Sequence, residues 1–181
     1  MTRENALELI DKHVSKNNLK KHMYATEAVM EKIAERLGED SELWGITGLL
    51  HDLDYDETVD DFPKHGFRTA EMLTDEDVPE AAVHAIKAHP GHISRDNKLD
   101  KALYAVDPIT GLIVAATLMH PSKKLKEVDV DFLKRRFKDK RFAAGADRDQ
   151  IKSCEELGIP LNEFMSLALQ AMQSIDKDLG L

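Results

Sequence analysis

The apolar run Leu43-Trp44-Gly45-Ile46-Thr47-Gly48-Leu49-Leu50 ends in the pair His51-Asp52. A segment of that composition belongs in a core, so the fold must bury an imidazole and a carboxylate side by side. Such burial costs several kcal/mol unless the groups are paired, hydrogen-bonded or bound to a cation. Compensating groups are available elsewhere in the chain. His22 lies upstream, and His65, His89, His92 and Asp107 lie downstream, each in or beside a segment of helical periodicity.

Apolar residues recur at helical rather than strand spacing. Leu7, Leu9, Ile10 and Val14 open an amphipathic stretch that Lys16-Asn17-Asn18 interrupts; Ala25, Ala28, Val29, Ile33, Ala34 and Leu37 form a second, ended by Gly38. Asp40 or Ser41 caps a third helix through Leu50, which delivers His51 and Asp52 at its carboxyl end. Further helices are expected at His65 to Leu73, from Pro79 to Ala88, around Leu99 to Thr117, at Val130 to Phe137, at Asp149 to Leu157 and at Pro160 to Leu179. The acidic stretch Asp52 to Glu57 is expected to leave the helix as a loop continuing to Pro63. No repeat and no hairpin signal interrupts this pattern, so the chain reads as an all-α, single-domain helical bundle over 1–181.

Charge narrows the partners. With 34 acidic against 25 basic residues and a net charge of -9, the chain does not look like a binder of a nucleic-acid scaffold. The basic block Lys134 to Arg141 reads as a solvated helix face and loop; its alternative is an anion-steering lip over an acidic metal site. The single cysteine, Cys154, excludes an internal disulfide and reads as a small core residue. The amino terminus lacks the organisation of a secretory signal, and Asp107-Pro108 inside the apolar stretch Ala102 to Met119 favours a buried core helix over a membrane span. A cytoplasmic protein without membrane attachment is expected. The stripe of Leu161, Phe164, Met165, Leu167, Ala168, Met172 and Ile175 completes the core, with a homo-oligomer contact as its alternative.

The order His22, His51-Asp52, Asp107 carries the chemistry. Ligands from separate helices, with coordination positions left for water, make a catalytic rather than a closed structural metal site. Each residue also has an ordinary reading. His22 hydrogen-bonds at a helix start, His65 merely follows Pro63, His89 favours a helix carboxyl end as an imidazolium, and Asp107 caps or kinks before Pro108. The combination favours a metal. His13, His84 and His120 fall outside the pattern.

An isolated His, a His-Asp pair and a distal Asp on helices resemble the HD-domain superfamily of metal-dependent phosphohydrolases. The resemblance covers roughly Lys20 to Met119 and leaves 120–181 as a helical extension. It implies that His22, His51, Asp52 and Asp107 bind a first divalent metal. Two-metal members add two histidines between the pair and the distal Asp; His65 and His89 stand there, with Asp52 then bridging both ions and His92 as an alternative ligand or substrate contact. Mn, Fe, Co, Ni, Zn and Mg all suit such ligands.

The implied activity is hydrolysis of a small phosphorylated metabolite or nucleotide by a metal-activated water, with Asp52 holding the hydroxide in place. Arg68, one turn after His65, is a candidate for stabilising charge on the phosphoryl group, or else an exposed helix charge; Lys87 reads as exposed. Asp54, Asp56 and Glu57 read as a solvated acidic loop, with a proton-accepting role for Asp54 or Glu57 as the alternative. Many family members follow the pair with Ile-Gly-Lys where this chain has Leu53-Asp54-Tyr55, which weakens any transfer of substrate identity from cyclic-dinucleotide-cleaving relatives. Two other classes remain: an iron-dependent oxygenase using the same ligands, and a nucleotide-sensing module without turnover.

Overall fold

A computed structural model describes residues 1–181 as helices joined by short turns, with no strand. Helix α1 spans Arg3–His13, α2 spans Asn17–Leu37 and α3 spans Ser41–Leu50. Gly38, at φ 69°, closes α2 in the left-handed conformation that glycine adopts without penalty. Asp40 caps α3 by accepting from the Leu43 N–H at 3.0 Å. Helices α2 and α3 pack closely because Gly48 has no side chain: a Cβ there would meet Met30 Cγ at 2.9 Å and the Thr26 carbonyl at 3.0 Å. That approach carries His22 on α2 to His51 at the end of α3.

The acidic segment after the pair does not continue as a loop. It forms a single helical turn, α4 at Tyr55–Thr58, and a 3-10 turn at Phe62–Lys64. The expected helix from His65 starts two residues later, with α5 at Phe67–Met72. Gly66 intervenes at φ 78°, where a Cβ would lie 2.6 Å from the Ile86 carbonyl oxygen, so the chain turns at His65 instead of winding through it. Helix α6 spans Glu80–Ala88 and presents His89 just past its end.

Helix α7, Lys98–Met119, is the central element. Asn97 and Asp100 cap its start reciprocally. By length and composition it qualifies as a membrane span, yet 56% of its most apolar window is buried inside the protein. Pro108 lies within it. Lacking an N–H, Pro108 leaves the Tyr104 carbonyl without its helical donor, and Gln150 Nε2 supplies one at 2.9 Å.

The last third adds α8 at Val130–Lys138, α9 at Arg148–Lys152, α10 at Leu161–Ser174 and α11 at Asp176–Leu179. The helix expected from Asp149 to Leu157 tightens to a 3-10 turn after Lys152, and the one expected to Leu179 breaks at Ile175. One apolar core joins both parts of the chain, with Ile33, Leu50, Leu103, Ile109, Phe164 and Met172 fully enclosed. Each such side chain contributes roughly 1.5–3 kcal/mol by leaving water, against which the desolvation of the polar cluster is set. Cys154 lies in this core, where burial pushes its thiol up to about 12.

Candidate metal centre

Six residues from five places along the chain converge within the bundle. His22 comes from α2, His51 and Asp52 from the end of α3, His65 from the turn before α5, His89 from the end of α6, and Asp107 from mid-α7. His51, Asp52, His65 and His89 are all buried. Asp52 sits between two groups. Its Oδ1 lies 3.4 Å from His51 Nε2, 3.3 Å from His65 Nε2 and 3.5 Å from His89 Nε2, while Oδ2 lies 3.5 Å from His22 Nε2. Asp107 Oδ1 approaches His22 Nε2 at 3.2 Å and His51 Nε2 at 3.9 Å.

The outward nitrogens fix the tautomers. His51 Nδ1 donates to the Gly48 carbonyl at 2.8 Å and His89 Nδ1 to the Ile86 carbonyl at 2.6 Å. His65 Nδ1 donates to Asp54 Oδ1 at 2.7 Å. His22 Nδ1 donates to Thr110 Oγ1 at 2.9 Å, because that hydroxyl gives its own hydrogen to the Asp107 carbonyl. Each neutral ring has thereby committed its proton to Nδ1 and turns a bare Nε2 inward. Yet His22 Nε2 lies 3.1 Å from His51 Nε2, and His65 Nε2 lies 3.1 Å from His89 Nε2. Two lone pairs at hydrogen-bond distance repel unless a cation or an extra proton lies between them. Two carboxylates beside these pairs supply charge suited to divalent cations, and the anchored rings match the outer support that metal-bound histidines receive. The donor set fits a divalent metal centre.

Protons compete for the same lone pairs. Burial disfavours charge on His65, but Asp52 and Asp54 on either side outweigh it and hold the ring up to about 9. His51 is buried too and is still raised, by Asp52 and Asp107. His89 is lowered, chiefly by burial. Asp52 stays well below the usual carboxylate range although burial opposes its ionisation, because His51, His65, His89 and His22 face it. Binding of a divalent ion releases the protons on such rings.

The HD domain family model matches residues 19–118, more than half of the chain. The chain belongs to the HD-domain family. Membership places it in a superfamily of metal-dependent phosphohydrolases, and the cluster just described lies within the matched residues. Comparison with curated proteins and with solved structures gave no match.

A cleft of about 700 Å³ opens over the cluster, reaching His22, Asp52, His65, His89 and Asp107 from solvent. Arg68 does not line it. Its guanidinium is engaged by Glu57 at 3.2 Å and Glu71 at 3.0 Å on the outside of α5, so the exposed-charge alternative describes it. Lys16 is the one Lys or Arg on the cleft wall, with its Nζ 2.9 Å from Asp56. His92 is not among the converging rings; its Nε2 donates to the Phe62 carbonyl at 2.9 Å and its ring stacks on Phe67, bracing the rim.

Asp54 corrects the expectation of a solvated acidic loop. It is fully buried and accepts hydrogen bonds from His65 Nδ1 and from the Gly66 and Thr69 amides at 2.7 Å and 3.1 Å. Its partners lie eleven to fifteen residues away across a turn, beyond what a local acidic pattern signals. Thr110 was legible in principle, since it follows Asp107 by one helical turn and shares its face. Lys16, Gln150, Ala143, Gly145 and Ala146 also line the cleft, and none carries a sequence motif.

Proposed function

We propose that this protein is a metal-dependent phosphohydrolase acting on a small phosphorylated metabolite or nucleotide. The observation that carries the reading is the pair of 3.1 Å Nε2–Nε2 contacts with Asp52 between them beneath an open cleft. His22, His51, Asp52 and Asp107 would hold one divalent ion, and His65, His89 and the shared Asp52 a second. When bound, such ions supply a water that ionises near neutral pH and polarise a phosphoryl oxygen.

The chain's own groups set the conditions for that chemistry. Asp54 keeps the His65 proton on Nδ1, so Nε2 remains a ligand atom. Thr110 does the same for His22. Lys16, on the wall, is placed to contact a phosphoryl oxygen outside the metal cluster. Tyr55 and Phe62 stand exposed at the mouth, 37% and 51% accessible, and offer flat apolar surface to the organic part of a substrate. Leu19 and Pro108 add apolar lining.

The test is metal analysis of anaerobically purified protein combined with a phosphatase screen over nucleotides and sugar phosphates. Phosphate release supported by Mn, Fe, Co or Ni, and lost together with bound metal in Asp52→Ala, is expected. Full activity and metal content in that variant would overturn the reading. Oxygen-dependent turnover confined to the iron form would replace hydrolysis with oxygenation, and saturable nucleotide binding without product would replace it with sensing.

A further inference from the structure

The cleft over the polar cluster is also lined by Ala143, Gly145 and Ala146, from the segment that joins α8 to α9. This segment is organised by one side chain. The Arg148 guanidinium donates to the carbonyls of Phe137, Asp139, Ala143 and Ala146 at 3.2, 3.1, 2.8 and 2.6 Å, and also to those of Phe142 and Arg136. In a trans peptide the N–H points opposite to the preceding C=O. With the Phe142 and Ala143 carbonyls turned to Arg148, the amides of Ala143 and Ala144 face away from it. Neither amide, nor that of Gly145, donates to any group of the protein. Ala143 also adopts φ 45°, a left-handed conformation that costs an alanine roughly 1–2 kcal/mol. Successive free amides around a left-handed residue form a concavity that binds oxyanions. Exposed Lys138, Lys140 and Arg141 lead directly into it.

We propose that the amides of Ala143, Ala144 and Gly145 form an oxyanion subsite on the cleft wall, which takes a second anionic group of the substrate, phosphate or carboxylate, beyond the phosphoryl group at the metal cluster. The substrate part of this inference rests on the phosphohydrolase reading; the anion site itself does not. The amides of Ala143 and Ala144 are held in place before any ligand arrives, because Arg148 has already taken the Phe142 and Ala143 carbonyls of their peptide planes. The basic approach raises local anion concentration in a chain of net charge -9.

The site is tested on ¹⁵N-labelled, metal-free, full-length protein titrated with inorganic tripolyphosphate. The Ala143, Ala144 and Gly145 amide resonances are expected to shift together and saturate. Ala144→Pro, which deletes one donor, is expected to weaken binding about tenfold. Should that variant fail to fold, Lys140→Gln with Arg141→Gln is expected to weaken binding and flatten its salt dependence while the shifts stay at the same three amides. Unmoved amides, or shifts no larger than those from chloride at equal ionic strength, overturn the site. With metal-loaded enzyme, KM for a phosphomonoester carrying a second phosphate or a carboxylate is expected to fall at least tenfold below that for its neutral analogue, and comparing the two anions identifies which is preferred. Equal KM values overturn the substrate assignment, and absence of all turnover overturns the phosphohydrolase reading while the metal-free titration still decides the anion site.

Discussion

His65 Nδ1 donates to Asp54 Oδ1 at 2.7 Å, so a carboxylate two residues beyond Asp52 orients a ring that faces Asp52 from the far side of the cluster. Asp54 is sealed from solvent and also binds the Gly66 and Thr69 amides, which ties the turn carrying His65 to the end of α3. Asp54→Asn keeps the size of the side chain but removes its charge. It is expected to weaken metal binding by about 10- to 100-fold, with His65 and His89 losing their ion before the other group does. Metal-to-chain ratios under graded chelator check this; an unchanged ratio would separate Asp54 from the centre.

Gly66→Ala strikes the same turn through its backbone. The added methyl would sit 2.6 Å from the Ile86 carbonyl, at φ 78°. Overpacking and left-handed strain together should cost about 1–3 kcal/mol, read as a lower urea midpoint at unchanged slope. Because Ile86 also accepts from His89 Nδ1, metal affinity should fall in parallel.

Chelation should destabilise the wild-type fold, since it leaves the Nε2 pairs at 3.1 Å facing each other or filled by protons. Restoring Mn at about 100 times its dissociation constant should return about 2.7 kcal/mol. Calorimetry before and after metal addition measures it. Asp52→Ala is expected to show no such response, and an equal response in both proteins would place the metal elsewhere.

Asp56 supplies a pH dependence of its own, outside the converging side chains. Lys16 at 2.9 Å, with the Ser15 amide and hydroxyl at 3.0 and 2.9 Å, lowers its carboxyl to about 2. A carboxyl held below its unfolded value of about 3.9 stabilises the fold above that value and loses the contribution as pH falls toward 2. Unfolding followed from pH 5 to pH 2 should therefore show a loss that Asp56→Asn lacks, the variant being less stable than wild type at pH 5 and nearly equal at pH 2. Parallel profiles would show that Asp56 makes no such contribution.

The helical architecture was legible because apolar spacing is a local signal, and its misses occur where a distant contact decides. Asp40 and Gly38 mark helix ends by their own chemistry. His65 looked like a helix start until Ile86, twenty-one residues on, set the limit at Gly66. The convergence of His22, His51, Asp52, His65, His89 and Asp107 could be anticipated from residue order, since an unpaired polar group on an apolar helix demands a partner. Asp54 could not, because a carboxylate in an acidic stretch looks solvated until Thr69 and Gly66 close over it. Arg68 misled for the opposite reason: its distance from His65 along the chain was right, but its face of α5 looks toward Glu57 and Glu71.

Arg148 holds six main-chain carbonyls while standing apart from the metal cluster. The polar cluster under the cleft is built from residues 22–107, and Ala143, Gly145 and Ala146 of its lining come from a later turn that hangs on a single guanidinium. Sequence drift in that turn can reshape the cleft without disturbing one ligand atom. The polar cluster and the turn that shapes its cleft are therefore separable by mutation within one small chain.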